Sequence, residues 1–247
     1  MQGTIDGLNS VEQFPKQPVG DKDENELHNL QRLRGQGGRN LAHETYGLME
    51  AFRREGTARC YKRNSKIYSQ GERVEFLYLV VAGCVRTYKL LADGRRQIVA
   101  FYLPGDVFDL EAGDEYTLFA ESIAASKALV VRRALIFELA RRDRALADEL
   151  WGLTREELRR AQDHILLLVK SAQGRVAGFL MCMAHRASDS GAVQLPMWRH
   201  DIADYLGLTI ETISRTLTQF QRAAAISLPK SRQIEIRSRA VLSRLNS

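Results

Sequence analysis

The chain predicts an α+β protein in three parts: a jelly-roll β-barrel, a long dimerisation helix and a C-terminal winged helix-turn-helix. Three observations predict it. Between Thr57 and Val131, short β-rich runs are separated by turn residues at even spacing. A later segment repeats apolar or small residues at 3-4 spacing, the seam of paired helices. Residues 199 to 220, RHDIADYLGLTIETISRTLTQF, read as two short helices joined by a Gly-containing turn.

Residues 1–40 are rich in Gly, Gln, Asn and charge, which predicts a poorly ordered arm. Residues 41–148 then form the barrel domain, opened by a helix over 41–55 and built from runs at 65–68, 76–82, 85–91, 97–103, 118–124 and 129–132. Gly71, Gly83 and Pro104-Gly105 punctuate them, and Asp93-Gly94 is the strongest hairpin signal. Residues 149–171 form the long helix, in which Trp151, Thr154, Leu158, Ala161, Ile165 and Leu168 mark an a/d seam that calls for a partner helix. Leu166, Leu167 and Val169 supply a second apolar face suited to packing on the barrel.

Residues 172–247 form the winged helix-turn-helix. Ile202, Ala203 and Leu206 line the inner face of its first helix, Gly207 permits the turn, and Ile213, Leu217 and Phe220 recur at helical spacing in the second. Thr209 is placed to cap the second helix, which leaves Ile210, Glu211, Ser214 and Arg215 facing outward. Each suits a base edge: Arg215 can fork onto guanine, Glu211 can accept from cytosine, and Ser214 or Ile210 can touch a thymine methyl. The plainer alternative is a surface hairpin in which Glu211 and Arg215 form an i,i+4 pair. The run Ala223 to Leu228 and the alternation Gln233 to Ile236 predict a small hairpin wing.

The chain carries 36 basic against 30 acidic residues, and the excess sits at its end. From Arg215 onward, seven basic side chains (Arg215, Arg222, Lys230, Arg232, Arg237, Arg239, Arg244) face one acid, Glu235. This polarity points to an anionic partner for the C-terminal part. No run approaches the roughly eighteen apolar residues of a membrane span, and no signal segment opens the chain, so a soluble cytoplasmic protein is expected. Cys60, Cys84 and Cys182 are too widely spaced for a disulfide framework or a metal cluster. None of the five histidines falls within the barrel, which argues against a cupin-like metal site. No nucleophile constellation, P-loop or C-x-x-C element is present, so neither catalysis nor a cofactor is expected.

The stretch D-I-A-D-Y-L-G-L-T followed by E-T-I-S-R resembles the recognition unit of the CRP/FNR superfamily of bacterial transcription regulators, within it the FixK-type branch. The runs F-L-Y-L-V-V-A-G-C-V and L-P-G-D-V-F resemble the same superfamily's cyclic-nucleotide-binding-like barrel, and the likeness covers roughly residues 57 to 247. It implies a homodimer on palindromic double-stranded DNA with TTGA and TCAA half-sites, and activation through RNA polymerase. Relatives of this type control low-oxygen, nitrogen-fixation or denitrification genes. It also implies phosphate contacts from Arg199, Thr209 and His185. Trp198 departs from the pattern, standing where many relatives carry a Ser or Thr cap.

The segment that cradles a cyclic nucleotide in relatives is missing: Phe108, Asp109, Leu110 and Glu111 follow the Pro-Gly-Asp turn, and Ala120, Glu121, Ser122 replace the expected Arg-Ser pair. Asp109, Glu111, Asp114, Glu115 and Glu121 would repel a phosphate. An effector of another kind, gating the same fold, is the alternative, and a jelly-roll binding protein or enzyme the remote one. Cys182, followed by His185 and Arg186, reads either as an inert packed thiol or as an oxidation-sensitive one, since an oxidised sulfur is an anion.

Overall fold

The computed structural model describes residues 47–186, 192–230 and 232–245; the arm expected over 1–40 lies outside them. Helix α1, Leu48–Glu55, buries Leu48, Ala51 and Phe52 against the barrel. Glu149 accepts from the Leu48 amide at 2.7 Å, which satisfies one of the donors that every helix start leaves open.

Eight strands follow: β1 (Thr57–Tyr61), β2 (Lys66–Tyr68), β3 (Phe76–Ala82), β4 (Val85–Leu90), β5 (Arg96–Tyr102), β6 (Val107–Phe108), β7 (Phe119–Ser122) and β8 (Ser126–Arg132). They make two four-stranded sheets, β1-β8-β3-β6 and β2-β7-β4-β5, the double-sheet jelly roll that the sequence predicts. Gly94, at φ 82°, closes the β4–β5 hairpin with its amide 2.9 Å from the Leu91 carbonyl. Gly83 turns β3 into β4, and a Cβ there would meet Ser126 Oγ at 2.3 Å. β1 and β6 lie outside the expected runs: β1 exposes Arg59 and Cys60 and shows no clean alternation, and β6 is two residues long.

Beyond the barrel lie α2 (Arg133–Arg142), α3 (Arg144–Leu168) and α4 (Ala172–Arg186). α3 starts earlier than residue 149 because Asp143 caps it, accepting from the Ala145 amide at 2.9 Å and the Leu146 amide at 3.4 Å. Strand β9 (Ala192–Gln194), helices α5 (Arg199–Leu206) and α6 (Ile210–Arg222), strands β10 (Ile226–Lys230) and β11 (Gln233–Ile236) and helix α7 (Arg239–Leu245) complete the C-terminal part. The wing is a three-stranded sheet ordered β10-β11-β9, one strand more than the expected hairpin. Among the described residues no helix is long and apolar enough to cross a membrane.

The second apolar face expected of the long helix requires correction. Leu166 and Val169 are 61 % and 78 % exposed and do not pack on the barrel; Leu167 alone of the three packs into a core. The inward face runs instead through Leu146, Leu150 and Leu153, which pack into the barrel's apolar core, and then through Glu157, Arg160, His164 and Leu167, where its contacts are largely polar. The outer seam is bare, with Trp151, Leu158 and Ile165 65 %, 60 % and 64 % exposed. Thr154 and Ala161 are exposed too, and Leu168 is half-buried.

Barrel and helix-turn-helix share one apolar core. Cys84, Ile98, Phe101 and Ile123 from the barrel pack with Phe179, Leu180 and Met183 of α4 and Ile202, Ala203 and Leu206 of α5. Packed against it, Tyr205 lies 5.2 Å from the Phe101 ring and stacks on His164 at 4.0 Å. His164 Nε2 sits 2.9 Å from the Tyr205 carbonyl oxygen, and burial holds the imidazole pKa below its usual value.

A polar bridge crosses the same junction. Asp201, on the first turn of α5, is almost wholly buried; Arg86 of β4 donates to it, and Arg96 of β5 reaches it at 3.4 Å. Arg86 also donates to Glu121 of β7 at 2.5 Å, Tyr88 donates to Glu121 at 2.8 Å, and Arg96 donates to Asp204 at 2.7 Å. Removing one member of a buried pair strands its partner and costs about 3–5 kcal/mol, whereas a half-exposed pair is worth under about 1 kcal/mol. Asp201→Ala is therefore expected to lose about 3 kcal/mol or more, and Asp204→Ala much less. Urea unfolding of the two variants checks this: equal losses would remove Asp201 from its central place.

Candidate nucleic-acid interface

The reading hairpin is assembled from helix ends. Gly207 ends α5 in the left-handed region at φ 61°, and Arg175 donates to the Leu206 carbonyl at 3.0 Å. Thr209 caps α6, accepting from the Thr212 amide at 3.2 Å, as its position in the sequence predicts. α6 buries Ile213, Thr216, Leu217 and Phe220. Its opposite face presents Ile210, Glu211 and Arg215 to solvent, with no ion pair joining Glu211 to Arg215.

Two expected contacts are partly engaged within the protein. Ser214 is half-buried and accepts from Arg199 Nη1 at 3.1 Å, which ties the first helix to the second and leaves the hydroxyl proton of Ser214 free to donate. Thr209 spends its oxygen on the cap. His185 is exposed near the end of α4. Trp198 cannot cap α5, since an indole has no acceptor; Asp201 supplies the reciprocal half, accepting from the Trp198 amide at 3.1 Å.

Cys182 is solvent-exposed on α4, yet desolvation by its neighbours pushes its thiol up, while Arg186, Arg160 and Arg159 pull it back and Asp163 adds to the rise. The sulfur can be reached but is not activated, because the thiolate is the reactive form. Cys84 is buried and its thiol is driven up by burial.

The place between barrel and α3 is closed by protein. Tyr102 donates to Glu157 at 2.8 Å, and Asp106 accepts from Arg160 at 3.1 Å and from Arg186. Inside the barrel, Tyr68 stacks on Tyr116 at 3.7 Å, and Phe108 lies between Tyr78 at 4.9 Å and Tyr102 at 5.0 Å. Asp109 is buried beside these rings at φ 80°, and burial raises its carboxyl pKa to about 7, with Glu111 adding and the Tyr116 hydroxyl and Arg133 opposing. Of the acids expected to oppose a phosphate, Glu121 is held by Arg86 and Tyr88, and Glu111 accepts from Thr117 at 2.8 Å.

Sequence reasoning did not find the Arg86, Asp201 and Glu121 bridge or the Asp106, Arg160 and Arg186 cluster. The signal for the first was Asp201 on the inner face of α5, where an amphipathic helix should be apolar.

Residues 174–245 match the model of the Crp-like helix-turn-helix domain, and residues 58–143 that of the cyclic nucleotide-binding domain. The nitrogen fixation regulation protein FixK of Azorhizobium caulinodans is 48 % identical over 198 residues, covering 78 % of this chain and 80 % of the relative. The fumarate and nitrate reduction regulatory protein of Vibrio cholerae is 33 % identical, covering 74 % and 76 %. The solved structure of FixK2 from Bradyrhizobium japonicum superposes with a TM-score of 0.75 at 46 % identity, covering 78 % of this chain and 98 % of that one.

Proposed function

The chain belongs to the CRP/FNR superfamily of transcription regulators, among its FixK-type members, and on that premise we propose that it is a homodimeric activator of nitrogen-fixation or other low-oxygen genes. It reads a TTGA/TCAA palindrome through Ile210, Glu211, Ser214 and Arg215 of α6. The observation that carries this reading is the capped, tightly packed α6 with Glu211 and Arg215 bare and unpaired. Two charged side chains held on a rigid helix face, with no internal partner, suit base edges in a major groove. Arg199 and His185 fall to the phosphates on either side, as does Thr209. Titrating a labelled TTGA-N6-TCAA duplex against a scrambled one, with and without cyclic nucleotide, tests the assignment.

The closed space between barrel and α3 supports action without a cyclic nucleotide, since a phosphate entering there would have to displace Glu157 and Asp106 from their partners. The bare stripe on α3 supports pairing with a second copy, which would give the protein the two-fold symmetry of a palindrome. RNA polymerase is the partner through which activation would run, and the protein acts by binding in the cytoplasm, with no catalytic step or cofactor.

Arg215→Ala is expected to weaken specific binding by about 1–3 kcal/mol while leaving weak nonspecific binding in place, and Glu211→Ala to relax base preference. An equal loss on specific and scrambled DNA would count against base reading by Arg215.

Leu158→Glu combined with Ile165→Lys should give monomers by sedimentation and poor binding to the full palindrome. A double variant that stayed dimeric would remove α3 from the interface.

Oxidation of Cys182 belongs to the same reading: an anionic sulfur near the end of α4 would oppose the DNA backbone. With its thiol held protonated, the reaction should be slow at neutral pH and quicken as pH rises. Cys182→Ala is expected to bind DNA normally and resist peroxide; the same sensitivity in both proteins would exclude the residue.

A further inference from the structure

Strand β5 holds α5 at consecutive positions. Arg96 donates through Nε and Nη2 to one oxygen of Asp204, at 2.9 and 2.7 Å, and its Nη2 also reaches Asp201 at 3.4 Å. The same guanidinium lies 5.5 Å from the Tyr88 ring centroid, so one ring and two carboxylates fix its plane. Next along the strand, Gln97 donates to the Tyr205 carbonyl at 3.2 Å, and His164 Nε2 of α3 lies 2.9 Å from that same oxygen. One backbone atom of the reading domain is thus held by the barrel and by the long helix together. α3 is in turn tied to the barrel, through Glu157 to Tyr102 and Arg160 to Asp106.

The half-exposed pair of Arg96 and Asp204 contributes little to folding, since its charges stay largely solvated. Its effect is on direction. α3 carries the bare stripe that would lie on the two-fold axis, and α6 shares a core with α5, so the links from α3 and β5 to α5 set how far from that axis the reading helix stands. Each base pair added between two half-sites carries one of them about 3.4 Å along the duplex and turns it by about 35°. A reading domain can follow only by shifting on its barrel, which breaks the Arg96 to Asp204 pair. We infer that Arg96 and Asp204 are positioning residues for DNA reading: touching no base, they set the spacing between half-sites that the dimer accepts. This rests on the DNA-reading assignment above and deepens it from the sequence of a half-site to the distance between two.

The test uses the full chain and three labelled duplexes: the TTGA-N6-TCAA palindrome, and the same palindrome with one base pair removed from or added to its spacer. Affinities are measured by anisotropy at one salt concentration. The unaltered protein should bind the N6 duplex most tightly. Arg96→Gln and Asp204→Asn, which remove the charges, should each lower that preference by about two- to fivefold, the range of a half-exposed ion pair, while discrimination against an N6 duplex with altered half-sites stays as it was. The double variant should show no smaller preference than Arg96→Gln alone, because one interaction cannot be lost twice. A loss of folded protein would weaken all duplexes in proportion and leave these ratios where they were. Unchanged ratios in the single variants, or independent losses that add in the double, would overturn the inference, as would equal affinity of the unaltered protein for the three spacers. Failure of the unaltered protein to prefer any palindrome over scrambled DNA would instead bring down the DNA-reading assignment, and the inference with it.

Discussion

Asp201 is where the molecule is held together. One carboxylate, on the first turn of α5, satisfies the Trp198 amide, takes a bond from Arg86 and lies within reach of Arg96. Without it, Arg86 and Arg96 would each lose one carboxylate at a largely buried junction, leaving Arg86 under-compensated. Glu121 extends the arrangement into β7 and Asp204 along α5. The orientation of the reading helix is thereby a property of the barrel, transmitted through α5 and the Arg199 to Ser214 bond.

The barrel that does this has a filled interior. Rings from Tyr68, Tyr78, Tyr102, Phe108 and Tyr116 occupy it, and the polar seam of Tyr102, Glu157, Asp106 and Arg160 seals it against α3. Side chains of the protein itself make the contacts between this space and the long helix.

What was legible in the sequence was local. The alternation of Phe76 to Ala82, the Asp93-Gly94 turn and the Thr209 cap depend on neighbours a few positions away, and each was placed where the structure has it. The exposed charged residues of the candidate interface, Glu211 and Arg215, were legible for the same reason: helical spacing separates them from the buried Ile213 and Leu217. The Arg86 to Asp201 pair spans 115 positions, and nothing in either local pattern announces the other. The second half of the inward face of α3 was misjudged because apolar residues were sought there, whereas Glu157, Arg160 and His164 meet polar partners on the barrel and on α5. Trp198 read only as a missing cap, and its position between the Arg63 and Arg232 guanidiniums comes from loops distant in the chain.

The chain has two tryptophans, and the fold has sent them to opposite duties. Trp151 stands on the bare stripe of α3, and Trp198 lies between guanidiniums at the root of the wing. Indole emission depends on the polarity and charge around the ring, so the protein carries an optical probe in each of the two surfaces where partners would arrive. With one of the pair replaced by phenylalanine, the remaining signal would follow a single event, and the order in which the two surfaces become occupied could be timed without a label.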